Sequence, residues 1–378
     1  MKHYNRAILP IGFTAQGVAA GLKRSGKVDL ALFYSTYPAK AACKFTTNSM
    51  PAAPLVVDKQ HLSASKTFQA IIANSGNANA FTGRQGQKDA LEIASCVAKA
   101  LSIAQESVLV ASTGIIGKRL PVSKIKHAIQ PLARQLSKQG VTQAAKAILT
   151  TDTFSKEITV QCAIGGRTIT LCGIAKGAGM IAPNMATMLC FIFTDATITQ
   201  EALRKALTLA VEDSFNCITV DGCMSTNDSL MLMANGAAGN ALISKGSKLR
   251  MFSKALSSVC LSLAKMIIQD AEGATKFITI KVKQAKSFTE ARQIGLAIAN
   301  SALCKTAIFG ENPNFGRIVA AVGASGVPVR EQDISIRVSP LDKKEIFVEV
   351  GVKRGKAQAT LYTSDLTYEY VKINAEYN

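Results

Sequence analysis

Six consecutive residues, Met188-Leu-Cys-Phe-Ile-Phe193, are all apolar, and this run constrains the fold more than any other stretch. Its length suits a strand whose alternate side chains both avoid water, and such a strand needs cover on both faces. Around it, strand-like runs alternate with helix-like ones. Leu30–Tyr34, Phe68–Ala73, Val108–Ala111 and Leu230–Ala234 read as strands, rich in apolar residues and bounded by turn formers. Gln87–Leu101 reads as a helix because Leu91, Ala94, Val97, Ala98 and Leu101 share one face. Val122–Leu136, Thr142–Leu149, Thr199–Ser214 and Met251–Ile268 are further helices; Pro131 is expected to kink or interrupt the first. Glu157–Ile164 and Thr168–Ile174 form a hairpin around Gly165-Gly166.

Beyond residue 275 the composition shifts. Phe277–Val282 is a strand, and Ser287–Asn300 is a helix opened by the capping box Ser287-x-x-Glu290. Strands follow at Ile334–Val338, Glu345–Val350 and Gln358–Tyr362. A lobe boundary is therefore expected near 275–285, giving approximate lobes 1–278 and 279–378. At 378 residues the chain is longer than one ordinary core.

The formal charge of +19 is uneven: residues 1–186 hold 22 Lys and Arg against 7 Asp and Glu, and residues 187–378 hold 22 against 18. The cations stand singly or in pairs, such as Lys23-Arg24 and Lys118-Arg119, without interleaved aromatics. This reads as a solvated basic surface rather than a nucleic-acid interface. Nine cysteines, none in a C-x-x-C pair and most in apolar segments, suit reduced thiols in a cytoplasmic protein. The three histidines are far apart, which argues against a His-based metal site or a Ser-His-Asp triad. The start MKHYNRAILP has no apolar signal region, and no apolar run approaches the length needed to cross a bilayer.

The most unusual stretch is Lys176-Gly-Ala-Gly-Met-Ile-Ala-Pro-Asn-Met-Ala-Thr187, a glycine-rich loop stiffened by Pro183 that runs into the buried strand. Local features alone favour a plain loop, with Thr187 a β-branched residue at the strand's start. A second reading rests on chemistry. Threonine is a weak nucleophile that needs a base, and an N-terminal threonine carries one in its own α-amine. That amine has a pKa of about 7.7–8.0, so part of it is neutral near pH 7. Cleavage between Ala186 and Thr187 would release it. Ser112-Thr113-Gly114-Ile115-Ile116-Gly117 follows a strand and could supply oxyanion donors, although alone it reads as an ordinary turn.

In this setting Lys176–Phe193 resembles the cleavage-site motif of the ornithine acetyltransferases, the glutamate N-acetyltransferases of arginine biosynthesis. Matching stretches run the length of the chain: Gly17–Lys23, Ala73–Ala80, Ser112–Gly117, Thr150–Thr153, Asp221–Asp228, Asp270–Lys276, Phe309–Ile318 and Asp365–Tyr377. Their occurrence in order is far more specific than one short motif. The resemblance implies self-cleavage into chains 1–186 and 187–378, assembled as a heterotetramer of two alpha and two beta chains. It implies an α/β fold, a layered α/β/β/α sandwich resembling N-terminal nucleophile hydrolases but of different topology, with a smaller C-terminal α+β lobe. Thr187 would be the nucleophile that carries the acetyl group, Thr113 and Gly114 the oxyanion hole, and Thr150, Lys176, Glu272 and Asn374 the substrate site.

The reaction so implied is ping-pong, from N-acetylornithine to glutamate, without a cofactor, a metal, nucleic acid or a membrane. Some members of the family also use acetyl-CoA as a second acetyl donor and others do not. Three departures stand out. Asn312-Pro-Asn-Phe315 replaces the usual Asp-Pro-Asn-Trp, Phe81 stands where Cys is common, and the chain ends at Asn378, one residue before the Thr or Ser often found. The last puts a C-terminal hydroxyl contact with substrate in question. The rival readings are an N-terminal-nucleophile aminopeptidase or amidase on a related fold, and a non-enzymatic basic binding protein.

Overall fold

Alternate residues of the apolar run enter two different cores. The structure, a computed structural model, describes residues 1–182 and 188–376. Its larger sheet system has nine strands: β1 Lys2–Tyr4, β2 Phe13–Val18, β3 Leu30–Phe45, β4 Phe68–Asn77, β5 Val108–Ile115, β6 Lys156–Ile164, β7 Arg167–Lys176, β8 Leu189–Thr194 and β9 Ser229–Ala234. The helices over the same span are α1 Ala53–Ala64, α2 Gly83–Leu101, α3 Val122–Arg134, α4 Val141–Ala147, α5 Gln200–Glu212 and α6 Gly246–Gln269.

Strand β3 belongs to both layers. Leu30–Tyr34 pairs with β4 and also with β2, the register breaks between Tyr34 and Ala39, and Lys40–Phe45 pairs with β9. One layer is thus built from β2 to β5 and the other from β1, β6, β7, β8 and β9. Between them lie Leu189, Phe191 and Phe193 with Phe13, Phe33, Ile71 and Leu109. The Phe33 ring sits 5.3 Å from Phe191 and 5.2 Å from Phe193. On the outer face of the second layer, Cys190 and Ile192 meet Leu203 and Leu207 of α5 and Leu256 and Leu263 of α6. On the outer face of the first, Ile93, Val97, Ile125 and Ile129 of α2 and α3 cover Leu32, Ile72 and Val110. Each such side chain contributes about 1.5–3 kcal/mol by leaving water. The result is a layered α/β/β/α sandwich, with the apolar run buried on both faces.

A second sheet follows, of β10 Phe277–Ala285, β11 Ser335–Val338, β12 Glu345–Gly351 and β13 Ala357–Ser364 in the order β11-β12-β10-β13. Helices α7 Phe288–Ala299, α8 Ala302–Phe309, α9 Phe315–Gly323 and α10 Tyr368–Glu376 accompany it. Its core holds Ile278, Ile280, Ile294, Ile298, Val348 and Leu361. The Asp365 carboxylate, accepting the N–H groups of Thr275 and Lys276 at 2.9 and 3.0 Å, ties its end back to its beginning.

Four local expectations change. Pro131 lies inside α3 without ending it, because Ile125, Ile129 and Leu132 stay buried along one face past the proline. Strand β5 continues through Ser112, Thr113 and Gly114 instead of turning there. The Ser287 cap holds, accepting Glu290 N–H at 3.1 Å, but the Glu290 carboxylate bonds Arg354 Nε at 2.7 Å and the Lys286 N–H at 3.4 Å. Helix α6, at 24 residues and mean hydropathy 1.5, is long and apolar enough to cross a membrane. Its buried face, from Phe252 to Ile268, packs on the sandwich.

Candidate active site

The ends of β4, β5 and β7 and the starts of β8 and β9 meet along one rim, since β5 runs parallel to β4, β7 antiparallel to β8, and β8 parallel to β9. Here six of the residues singled out above line one cavity of about 100 Å³: Thr113, Gly114, Thr150, Lys176, Glu272 and Asn374. They come from β5, the segment after α4, the last residue of β7, the segment after α6, and α10. Ala186 and Thr187 lie outside the described residues.

The flanks of that segment are held by two aspartates. Asp221 accepts the N–H groups of Met180 at 2.7 Å and Ile181 at 3.0 Å. Asp228 accepts the Met188 N–H at 3.2 Å. Burial pushes the Asp228 carboxyl well above its ordinary pKa, while the Met188 N–H acts against that rise. An added Cβ at Gly179 would meet the Glu272 carboxylate at 2.2 Å, so a side chain there would displace that carboxylate. Glu272 in turn accepts from Asn374 Nδ2 at 2.9 Å, and its N–H donates to Ala178 O at 3.0 Å.

Gly114 is constrained more tightly, by backbone. Its φ of 132° is one that side-chain-bearing residues rarely adopt, and a Cβ there would stand 2.5 Å from the Gly76 carbonyl carbon. Gly76 pairs with Gly114 where the β4–β5 register shifts, so both strands distort together at the cavity wall. Buried asparagines hold this distortion. Asn227 Nδ2 donates to Ala78 O at 2.6 Å and Ser112 O at 2.8 Å, and Ser112 Oγ donates to Asn74 Oδ1 at 2.7 Å.

Beneath the cavity lies a buried chain of alternating charges. Lys176 Nζ is 3.9 Å from Asp152 Oδ2; Lys156 Nζ reaches Asp152 Oδ1 at 2.7 Å and Asp270 Oδ2 at 2.5 Å. Asp152 also accepts the N–H groups of Thr150 at 2.9 Å and Gly177 at 2.6 Å. Burial alone would raise the Asp152 carboxyl; Lys176, Lys156 and the Thr150 N–H outweigh it and hold the group well below the usual carboxylate range. Burial lowers the Lys176 ammonium from its ordinary value, with Asp152 opposing. The cavity therefore presents a buried cation, Lys176, and an anion, Glu272, beside Thr113 and Gly114. Among the described residues, no group of three or more His, Cys, Asp and Glu is placed to hold a metal ion.

The profile of the ArgJ family matches residues 14–342 and 338–378. The chain belongs to the ArgJ family. It is 48% identical to the arginine biosynthesis bifunctional protein ArgJ of Caldanaerobacter subterraneus subsp. tengcongensis, covering 98% of this chain and 97% of that protein. It is 46% identical to the protein of the same name from Geobacter sulfurreducens, over 97% of this chain and 98% of that one. A crystal structure of the ornithine acetyltransferase complexed with ornithine from Mycobacterium tuberculosis aligns with a TM-score of 0.45 and 36% identity, over 50% of this chain and 99% of that one.

Asp152, Asp221, Asn227 and Asp228 belong to this site although only their segments, not their roles, stood out in the sequence. The one available signal was their place beside Gly, Ser or Thr in turn-like stretches, where a carboxylate or amide commonly accepts backbone N–H groups.

Proposed function

We propose that this ArgJ-family chain moves an acetyl group from N-acetylornithine to glutamate in arginine biosynthesis, through an ester on Thr187. The observation that carries this reading is the small cavity in which buried Lys176 and half-buried Glu272 stand with Thr113 and Gly114. The Lys176 cation suits a substrate carboxylate, and Glu272, held by Asn374, suits an ammonium. Thr113 and Gly114 supply the oxyanion donors, and Thr150 completes the substrate wall.

The Ala186–Thr187 bond breaks first. Thr187 Oγ attacks the Ala186 carbonyl, and water hydrolyses the ester, leaving chains 1–186 and 187–378. The freed α-amine then takes the Thr187 hydroxyl proton as Oγ bonds the acetyl carbon of N-acetylornithine. Ornithine leaves with that proton on its amine. Glutamate's neutral amine attacks the ester and restores the hydroxyl. The exchange uses no cofactor or metal. The two chains assemble as a heterotetramer of two alpha and two beta chains, and the nine free cysteines support a reducing, cytoplasmic setting.

Mass spectrometry after incubation with N-acetylornithine alone tests the ester. One acetyl group is expected on the peptide that begins at Thr187, and Thr187→Ala is expected to remain uncleaved and unacetylated. Full transfer by an uncleaved chain would refute the α-amine as base.

A further inference from the structure

The chain on either side of the proposed cleavage point is gripped in the same way by one segment. On the near side, Ile181 gives its N–H to Asp221 Oδ1 at 3.0 Å, and its carbonyl accepts the Val220 N–H at 2.9 Å. On the far side, Met188 gives its N–H to Asp228 Oδ1 at 3.2 Å, and its carbonyl accepts the Ser229 N–H at 3.0 Å. Each grip joins an aspartate side chain to a neighbouring backbone N–H, and both belong to the stretch that leads into β9. Ile181, Met188, Val220 and Asp228 are all buried.

That stretch is itself anchored to the sandwich. Thr226 O accepts the Ala52 N–H at 2.9 Å, Asp228 O accepts the Thr46 N–H at 3.0 Å, and Ser225 O accepts from Thr46 Oγ1 at 2.8 Å. Between the grips, Asn227 bonds the carbonyl of Ser112, the residue before Thr113 in β5. One stretch therefore fixes both flanks of the cleavage point and the strand that carries the proposed oxyanion donors. The two aspartates are loaded differently. Asp221 uses both oxygens: Oδ2 accepts from the Met180 N–H at 2.7 Å and the Tyr370 hydroxyl at 3.1 Å, and Oδ1 from the N–H groups of Ile181 and, at 3.1 Å, Cys223. Asp228 Oδ1 holds Met188, while its Oδ2 is buried and has no hydrogen-bond partner among the described residues. Burial favours the neutral form of that carboxyl, which resembles an asparagine side chain in shape and in its single carbonyl oxygen.

We infer that the stretch from Asp221 to Asp228 positions the chain for self-cleavage, Asp221 fixing the part before the scissile bond and Asp228 the part after it. Such a role rests on the Ala186–Thr187 cleavage of the proposed function. In that step Thr187 Oγ bonds the Ala186 carbonyl carbon, the carbon–nitrogen bond between the two residues breaks, and the hydroxyl proton ends on the departing nitrogen. Water then divides the ester into the Ala186 carboxyl and the Thr187 hydroxyl. A nucleophile that attacks the residue just before it needs no diffusing partner, so the rate depends on how narrowly the backbone is held. A displacement of about 1 Å can cost about 10²-fold. Both aspartates are positioning residues, acting through the backbone they hold.

The test follows cleavage of the full-length chain after cell-free synthesis, by intact mass against time, with the urea midpoint of each variant measured alongside. The wild type is expected to yield fragments 1–186 and 187–378. Asp221→Ala and Asp228→Ala should each cleave about tenfold or more slowly. The asparagine variants separate positioning from packing. Asp228→Asn keeps the one acceptor that Met188 uses and should recover most of the wild-type rate. Asp221→Asn turns an NH₂ group toward donors on one side of the carboxylate and should stay about as slow as Asp221→Ala. Should the alanine variants misfold, the asparagine pair alone decides. Equal rates for Asp221→Asn and Asp228→Asn, or rates that merely follow the urea midpoints across the four variants, overturn the inference while wild-type cleavage stands. A wild-type chain that stays whole removes the cleavage reading, and the positioning role with it.

Discussion

On one side of Thr150 both lysines are ion-paired; on the other, none of the four cations is, among the described residues. Below the acetyl-transfer pocket, Lys176, Asp152, Lys156 and Asp270 alternate in sign and are almost wholly enclosed. Behind Thr150, Lys23, Arg24, Lys118 and Arg119 wall a cavity without a carboxylate. The first arrangement sets the geometry of the loop from Thr150 to Lys156, since buried charges are tolerated only when paired and hydrogen-bonded. The second has no ion pair among the described residues; its one side-chain tie is from Lys23 Nζ to Val28 O at 2.9 Å. Charge that is matched internally maintains structure, and charge left without an ion pair at a cavity wall can be changed at little cost to the fold.

Breaking the matched side should have the largest effect. Asp152→Ala leaves Lys156 and Lys176 without their shared partner and is expected to cost about 3–5 kcal/mol in stability, read from the urea midpoint. Thr113→Ala removes the proposed oxyanion donor and is expected to lower kcat about 10²–10³-fold with the urea midpoint nearly unchanged. An equal loss in stability would make Thr113 a packing residue instead.

Acid probes the same contrast. The Asp152 carboxyl has a folded-state pKa below its unfolded value of about 3.9, so its contribution is full above that value and fades as pH falls toward the folded one. Stability should therefore drop below about pH 4, and Asp152→Asn should flatten that part of the profile. Smallest is the effect of emptying the unmatched side: Arg24→Ala, Lys118→Ala and Arg119→Ala should each change stability by no more than about 0.5 kcal/mol. A marked destabilisation by any of them would show that these cations have structural partners after all.

Much of the frame was legible from local pattern. The alternation within β8 separates two cores, and the amphipathic faces of α2 and α3 mark the outer layer. Helix α1 was harder to read because polar residues occupy its buried face. Asp58 accepts the Val110 N–H at 2.8 Å, and His61 Nδ1 lies 2.7 Å from Val108 O. These contacts weaken the hydrophobic period while fastening α1 to β5. The network under the pocket was hidden for a different reason. Lys156 and Asp270 meet across 114 positions, and no short-range spacing encodes that pairing. Thr113, Gly114, Thr150, Lys176, Glu272 and Asn374 came from family resemblance, and the fold brings all six to one cavity.

The acetyl exchange is tested most directly by following labelled acetyl from N-acetylornithine with and without glutamate. The label should move to N-acetylglutamate in step with ornithine release, and turnover without glutamate should stop at the acetylated enzyme. Release of labelled acetate at the same rate whether or not glutamate is present would contradict the account and make the protein a hydrolase.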